Sequence, residues 1–163
     1  YISRKSIRGN MKLDEIDRKL IDVLQKDAKM SYAEMAKRLG ISSSGVHKRI
    51  KRLVDGGVIK RFVAVVDPHA VGKRLKAFIG VATGPGACAA VKPRLMEMPE
   101  VLEIHEVAGE HDLFLKLVTE DTLKLNDILH KIDRIPGVSG TRTLVVLKTE
   151  KETTSIKMSA TPD

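Results

Sequence analysis

Apolar residues in the first third of the chain recur at three- and four-residue intervals, whereas the later part alternates short β-branched runs with helical stripes. Leu13, Ile16, Leu20 and Leu24 predict a helix from about Asp14 to Lys26. Asp14 is placed to cap it, and Glu15 and Asp17 lie near the positive end of its dipole. Ser31 precedes a second stripe, Tyr32, Met35, Ala36 and Leu39, and Glu34 follows the serine by three residues, as a capping box requires; Gly40 closes this helix. A third helix opens at Ser42, Ser43 or Ser44, turns Val46, Ile50, Leu53 and Val54 inward, and stops at Gly56-Gly57.

Between the second and third helices stand only Gly40-Ile41-Ser42, where glycine permits a sharp turn and Ile41 can plug the angle. This punctuation predicts a helix-turn-helix. Val58 to Val66 is a β-branched run ending at Asp67-Pro68. It predicts a strand, too apolar for a simple wing and suited to pairing with another chain. Beyond a connector from His69 to Lys76 the pattern changes. Strands are expected over Ala77–Thr83, Val101–Val107, Leu113–Val118 and about Thr141–Lys148. Helices are expected over Cys88–Met98, shortened or kinked by Pro93, and after a cap at Asp121, carrying Leu125, Ile128, Leu129 and Ile132. The order β-α-β-β-α-β implies an antiparallel four-stranded sheet with two helices on one face, a ferredoxin-like arrangement whose other face needs a cover, most economically a second copy. The fold class is therefore α+β, a winged-helix-like helix-turn-helix domain followed by a βαββαβ domain. The boundaries are an extension at 1–10, a helix-turn-helix domain at 11–58, strand and linker at 59–76, a βαββαβ domain at 77–150 and a tail at 151–163.

Charge sharpens the division. The net +8 is not spread evenly: residues 1–76 hold 19 Lys+Arg against 8 Asp+Glu, and residues 77–163 hold 10 against 13. Basic residues that served solubility alone would have no reason to segregate, so the N-terminal half faces a polyanion. The non-apolar side of the third helix is almost wholly cationic, which suits a DNA groove. The helix start offers serine hydroxyls and free backbone N–H groups to phosphates or base edges. The residues assigned to double-stranded DNA are Ser42, Ser43, Ser44, His47, Lys48, Arg49, Lys51 and Arg52, with Lys60 beyond the helix. A single cysteine, Cys88, cannot form an internal disulfide or a zinc ribbon, and no signal-peptide or membrane-spanning pattern is seen, so a cytoplasmic protein without membrane contact is expected.

The stretch His105-Glu106-Val107-Ala108-Gly109-Glu110-His111-Asp112 gathers two histidines and three carboxylates in eight residues. A solvated hairpin tip, a metal site and a small-molecule pocket all fit this composition. The histidine spacing matches no metal motif, and no cofactor is expected. In a pocket, Gly109 would let the backbone approach closely and Asp112 would hold a cationic group such as an α-amine. No catalytic triad, phosphate-binding loop or nucleotide fingerprint is present, so no enzyme is expected.

Four stretches resemble the Lrp/AsnC, or feast/famine, regulators: Leu13-Asp14-Glu15-Ile16-Asp17-Arg18-Lys19-Leu20-Ile21; Gly40-Ile41-Ser42; Arg49-Ile50-Lys51-Arg52-Leu53 with Gly57-Val58-Ile59; and Gly109-Glu110-His111-Asp112. The resemblance runs from Met11 to Glu152. It implies an amino-acid effector bound at interfaces between dimers, and assembly into dimers, tetramers, octamers or larger rings. It also implies an effector site containing Gly109, Glu110, His111 and Asp112, with Glu106, Thr122, Thr141, Arg142, Thr143 and Leu144 across an interface. His111 departs from the family, in which this position is often aromatic. Residues 1–10 have no counterpart and read as a basic arm, an alternative start or an artificial remnant. The alternative to a regulator is an architectural DNA-compacting protein with no small ligand.

Overall fold

The computed structural model describes residues 11–158. They form two compact units, one running to Ala64 and rejoined by the tail from Lys151, the other spanning Val65–Glu150.

The first unit is built on α1 (Glu15–Lys26), α2 (Tyr32–Leu39) and α3 (Ser43–Asp55). Each helix begins where a side chain accepts from an otherwise unpaired backbone N–H: Asp14 from Asp17, Ser31 from Glu34, Ser42 from Gly45. The reciprocal capping box expected at Ser31 and Glu34 forms instead on α1, where Asp17 also accepts from the Asp14 N–H. Glu34 turns to Arg38, one helical turn on, at 2.8 Å. Gly40 adopts φ +68°, the left-handed geometry that lets α2 stop and the chain turn at once. Leu20, Ile21, Leu24, Met35, Ala36, Val46, Ile50 and Leu53 form the core, with Ile41 packed against it. Two expected core residues lie outside: Val54 is 39% exposed and Tyr32 43%.

The tail belongs to this core. Gln25 accepts from the Ile156 N–H at 2.7 Å and donates to its carbonyl at 3.0 Å, and Met158 packs among the helices. The side-chain amide of Gln25 thereby imitates one rung of a strand ladder.

The run Val58–Val66, expected to pair with another chain, has no strand partner among the described residues of this one, and Phe62, Val63, Val65 and Val66 stand exposed, Val65 at 85%. No wing hairpin follows α3 among the described residues.

The second unit opens with a single 3-10 turn, His69–Val71, and contains β1 (Leu75–Thr83), α4 (Cys88–Met96), β2 (Val101–Glu106), β3 (Leu113–Thr119), α5 (Thr122–Asp133) and β4 (Val138–Val145). All strand pairs are antiparallel, in the order β2-β3-β1-β4. Alternation along β1 and β3 turns Ala77, Ile79, Val81, Leu113, Leu115 and Leu117 into a core with Val91, Leu95, Leu125, Ile128 and Ile132 of the two helices. The expected last strand is displaced: β4 starts at Val138, directly after Gly137 at φ +98°, and ends at Val145 opposite Ala77. Pro93 lies inside α4 on its exposed side, and the helix ends at Met96, two residues short of the expected Met98. Lys73 donates to Glu120 at 2.6 Å. With backbone hydrogen bonding and the Thr119 hydroxyl, this draws the Glu120 carboxyl from 4.5 to about 2.

A chain ending at Glu150 loses both Gln25 hydrogen bonds and the Met158 contact. Urea denaturation followed by helical signal is expected to show the helical unit weakened by about 1–3 kcal/mol, with Gln25→Ala accounting for part of that loss.

Candidate functional site

The cationic side of α3 is not one surface. Asp17, in the first turn of α1, is fully buried among the helices, and a buried carboxylate requires paired donors. Arg49 supplies them through Nη1, 2.7 Å from Asp17 Oδ1 and 2.6 Å from Asp14 Oδ2, and Arg52 completes the pairing at Asp17 Oδ2. The Asp14 and Asp17 carboxylates keep the Arg49 guanidinium charged beyond its ordinary range. Burial pushes the Asp14 carboxyl up, but the Asp17 N–H and the Arg49 guanidinium outweigh it and leave it lowered. Arg49 and Arg52, assigned to DNA on sequence grounds, thus have their guanidinium groups committed to α1. Ser42 has its hydroxyl committed to the helix cap.

Outward on α3 stand Ser43, Ser44, His47, Lys48 and Lys51, all exposed, with Lys51 also reaching Asp55 at 2.9 Å, and Arg52 stays half-exposed beside them. Ser44, His47, Lys48 and Lys51 fall on one side by helical spacing. Lys60 lies in the exposed segment beyond the helix. The His47 imidazole stands against the Tyr32 ring, centroids 5.6 Å apart and tilted by 44°. Sequence periodicity placed Tyr32 in the core and so missed it.

In the second unit the stretch with two histidines turns the chain from β2 into β3, and Asp112 fastens it. The Asp112 backbone donates to Val81 and its carbonyl accepts from Val107, while Oδ2 accepts from the Thr83 N–H at 2.7 Å and the Thr83 hydroxyl at 2.9 Å. The Thr83 N–H, then its hydroxyl, hold the Asp112 carboxyl below its ordinary range. Gly109 is at φ +151°. His111 folds back over β1: a β-carbon at Gly80 would come within 2.2 Å of its Cδ2, so only glycine leaves room for the ring. His111 Nδ1 is buried and has no hydrogen-bond partner among the described residues. Gly80 pairs with Phe114 on one side and Arg142 on the other, and Arg142 reaches Glu110 at 3.1 Å.

The other residues implied by resemblance, expected across an interface, lie apart from this point within the one chain. Leu144 pairs opposite Phe78 on the same uncovered face, where Phe78 and Phe114 stack at 5.8 Å. Thr141 and Thr143 pair opposite the core residues Val81 and Ile79, so alternation puts them on the helix side, and Thr141 donates to Asp133 at 3.0 Å. Glu106 is held by Lys92 of α4 at 2.8 Å, and Thr122 begins α5 after the far end of β3. His105 pairs with Glu103 at 3.1 Å, which also meets Lys116. No three His, Cys, Asp or Glu among the described residues come together as a metal site. Among the same residues no helix is long and apolar enough to cross a membrane.

A three-helix unit with a glycine turn and an exposed cationic face, joined to a βαββαβ unit, defines a DNA-binding regulator with a separate sensory domain. Residues 13–60 match the winged helix-turn-helix DNA-binding model and residues 76–156 the Lrp/AsnC ligand binding domain model. The chain is 43% identical over 144 residues to the HTH-type transcriptional regulator FL11 of Pyrococcus furiosus, covering 88% of this chain and 95% of that protein. It is 38% identical to a proline dehydrogenase transcriptional activator of Rhizobium radiobacter, covering 86% and 93%. Among solved structures, the L-Met complex of a Neisseria meningitidis transcriptional regulator superposes with TM-score 0.84 at 30% identity, over 89% of this chain and 96% of that one. E. coli AsnC superposes with TM-score 0.85 at 28% identity, over 90% and 99%. The protein belongs to the Lrp/AsnC family of transcriptional regulators.

Asp17→Ala removes the acceptor of the Asp14 N–H, leaves Arg49 with Asp14 alone and strips Arg52 of its contact to α1, and is expected to cost about 1–3 kcal/mol in urea denaturation, whereas Lys48→Ala stays within about 0.5 kcal/mol. A second expectation concerns acid. Because the Asp112 carboxyl is depressed in the folded state, its contribution is present above its usual 3.8 and is lost as pH falls through the depressed value. Thr83→Val removes the hydroxyl but keeps the N–H. The loss of stability on acidification below about pH 4 should therefore shrink without vanishing, read by urea denaturation across a pH series.

Proposed function

We propose that this regulator assembles through its second unit and responds to an amino acid or related metabolite held near the Gly109–Asp112 hairpin. One observation carries the reading: the side of the sheet away from the helices presents half-buried Phe78 and Phe114 and exposed Leu144 beside His111, whose buried Nδ1 has no partner among the described residues. An apolar sheet face is not stable against water, and a second copy laid on it brings two hairpins and two Glu110–Arg142 pairs together. A ligand with an ammonium and a carboxylate suits that mixture of acidic and basic groups. Arg142 matches the carboxylate, and Glu110 matches the ammonium better than Asp112, whose Oδ2 already serves Thr83. The L-Met bound by the Neisseria regulator supports an amino acid as the class.

The exposed run Phe62–Val66 supports a second pairing between copies, strand to strand, which sets the distance between two recognition helices. The domains are read as 11–58 for DNA, 59–76 as the connecting pairing segment and 77–150 for assembly and sensing, with 151–158 returning to the helices. Ser43, Ser44, His47, Lys48, Lys51 and Lys60 face DNA, and Arg49 and Arg52 hold the helix that presents them.

The test is a duplex-binding titration of the full chain across a salt series, with and without each standard amino acid, alongside sedimentation. Affinity is expected to fall steeply with salt. At least one amino acid should shift affinity or assembly size in the wild type and lose that effect in Arg142→Ala, and Phe114→Glu should sediment as a smaller species. Steep salt dependence with no response to any amino acid would favour the compacting protein instead.

A further inference from the structure

We infer that Tyr32 is a positioning residue for DNA reading, holding the His47 imidazole in one orientation over the outward side of α3; this rests on the reading of His47 as a DNA-facing residue. Tyr32 is the first residue of α2, directly after the Ser31 cap, so its backbone is fixed by a hydrogen-bonded first turn. Its spacing from Met35, Ala36 and Leu39 would carry it into the core, yet it remains 43% exposed while Met35 and Ala36 are buried. The ring meets His47 at 5.6 Å and 44° instead.

His47 needs such a neighbour. It stands on the exposed side of α3 with Ser43 and Ser44 one turn before it and Lys51 one turn after, none of which restricts a ring. An unrestrained side chain must be ordered when DNA arrives, and that ordering subtracts from affinity. A tilted aromatic contact orders it beforehand at favourable ring geometry. The lysines act through charge, which tolerates a range of positions, whereas an imidazole donating to or accepting from a base edge does not. Arg49 and Arg52 are tied to Asp17, so the burden of directional recognition on α3 falls on Ser43, Ser44 and His47.

The experiment selects duplexes from a random-sequence pool with the full-length protein and then measures affinity for an enriched and an unselected duplex. Tyr32→Leu is expected to lose about 3- to 10-fold on the enriched duplex and nothing on the unselected one, while Tyr32→Phe, which keeps the ring, stays near wild type. In the His47→Ala background, Tyr32→Leu should have no further effect. His47→Ala, at an exposed helix position, retains the fold whatever Tyr32→Leu does, and must by itself lower enriched-duplex affinity by at least the same factor. An equal Tyr32→Leu loss with and without His47, an equal loss on both duplexes, or a Tyr32→Phe loss as large as that of Tyr32→Leu overturns the inference. Failure of the pool to enrich any sequence overturns sequence-specific reading itself and this inference with it, whereas enrichment with Tyr32→Leu unchanged overturns only the latter.

Discussion

The helical unit is organised around one carboxylate that has no access to water. Asp17 cannot remain buried alone, and the nearest compensating charges lie on α3, so two guanidinium groups must turn toward α1. That requirement sets the rotation of α3 about its own axis. With Arg49 and Arg52 turned one way and Val46, Ile50 and Leu53 packed into the core, only one side is left for Ser44, His47, Lys48 and Lys51. A purely apolar seam between the helices would tolerate small rotations that a directional ion pair does not. The buried charge therefore fixes the direction in which Ser44, His47, Lys48 and Lys51 point.

A comparable division runs through the sheet. The alternation that sends Leu113, Leu115 and Leu117 to the helices sends Phe114, Lys116 and Val118 to the opposite side of the sheet, and a one-residue slip would exchange the two sets. Gly80 is the exception in β1 that makes the arrangement specific. Lacking a side chain, it lets His111 fold back across the strand, and Asp112 is then pinned to Thr83 two residues further along β1 from Val81. The hairpin is in this way fastened to the middle of the sheet and not merely to its own two strands.

Most elements were legible because their signals are local. Caps at Asp14, Ser31, Ser42 and Asp121, the left-handed Gly40 and the two stripes of core leucines each act within a few residues. What sequence periodicity could not supply was partnership across the chain. The run 58–66 carries a strand's composition, but the partner expected for it was another copy, and among the described residues of its own chain no strand lies beside it. A cationic helix looks uniformly solvated until a distant aspartate claims two of its arginines, 32 and 35 residues away. Tyr32 looked like core because its spacing fits, and only the position of His47 shows why it stays outside. The hairpin was located by its composition, but the split of Thr141, Thr143, Arg142 and Leu144 between the two sides of the sheet follows from the β4 register, which begins three residues earlier than the pattern suggested.

The tail that returns to Gln25 makes the DNA-binding unit discontinuous along the chain, with the whole of Val65–Glu150 inserted between its parts. A chain emerging from the ribosome presents α1, α2 and α3 first, and they can collapse together early, but Ile156 and Met158 arrive only after the sensory unit has been made. The helical core is therefore sealed by nearly the last residues described here. Completion of the DNA-binding unit follows completion of the sensor, so a chain interrupted within the sensor carries a weakened reader.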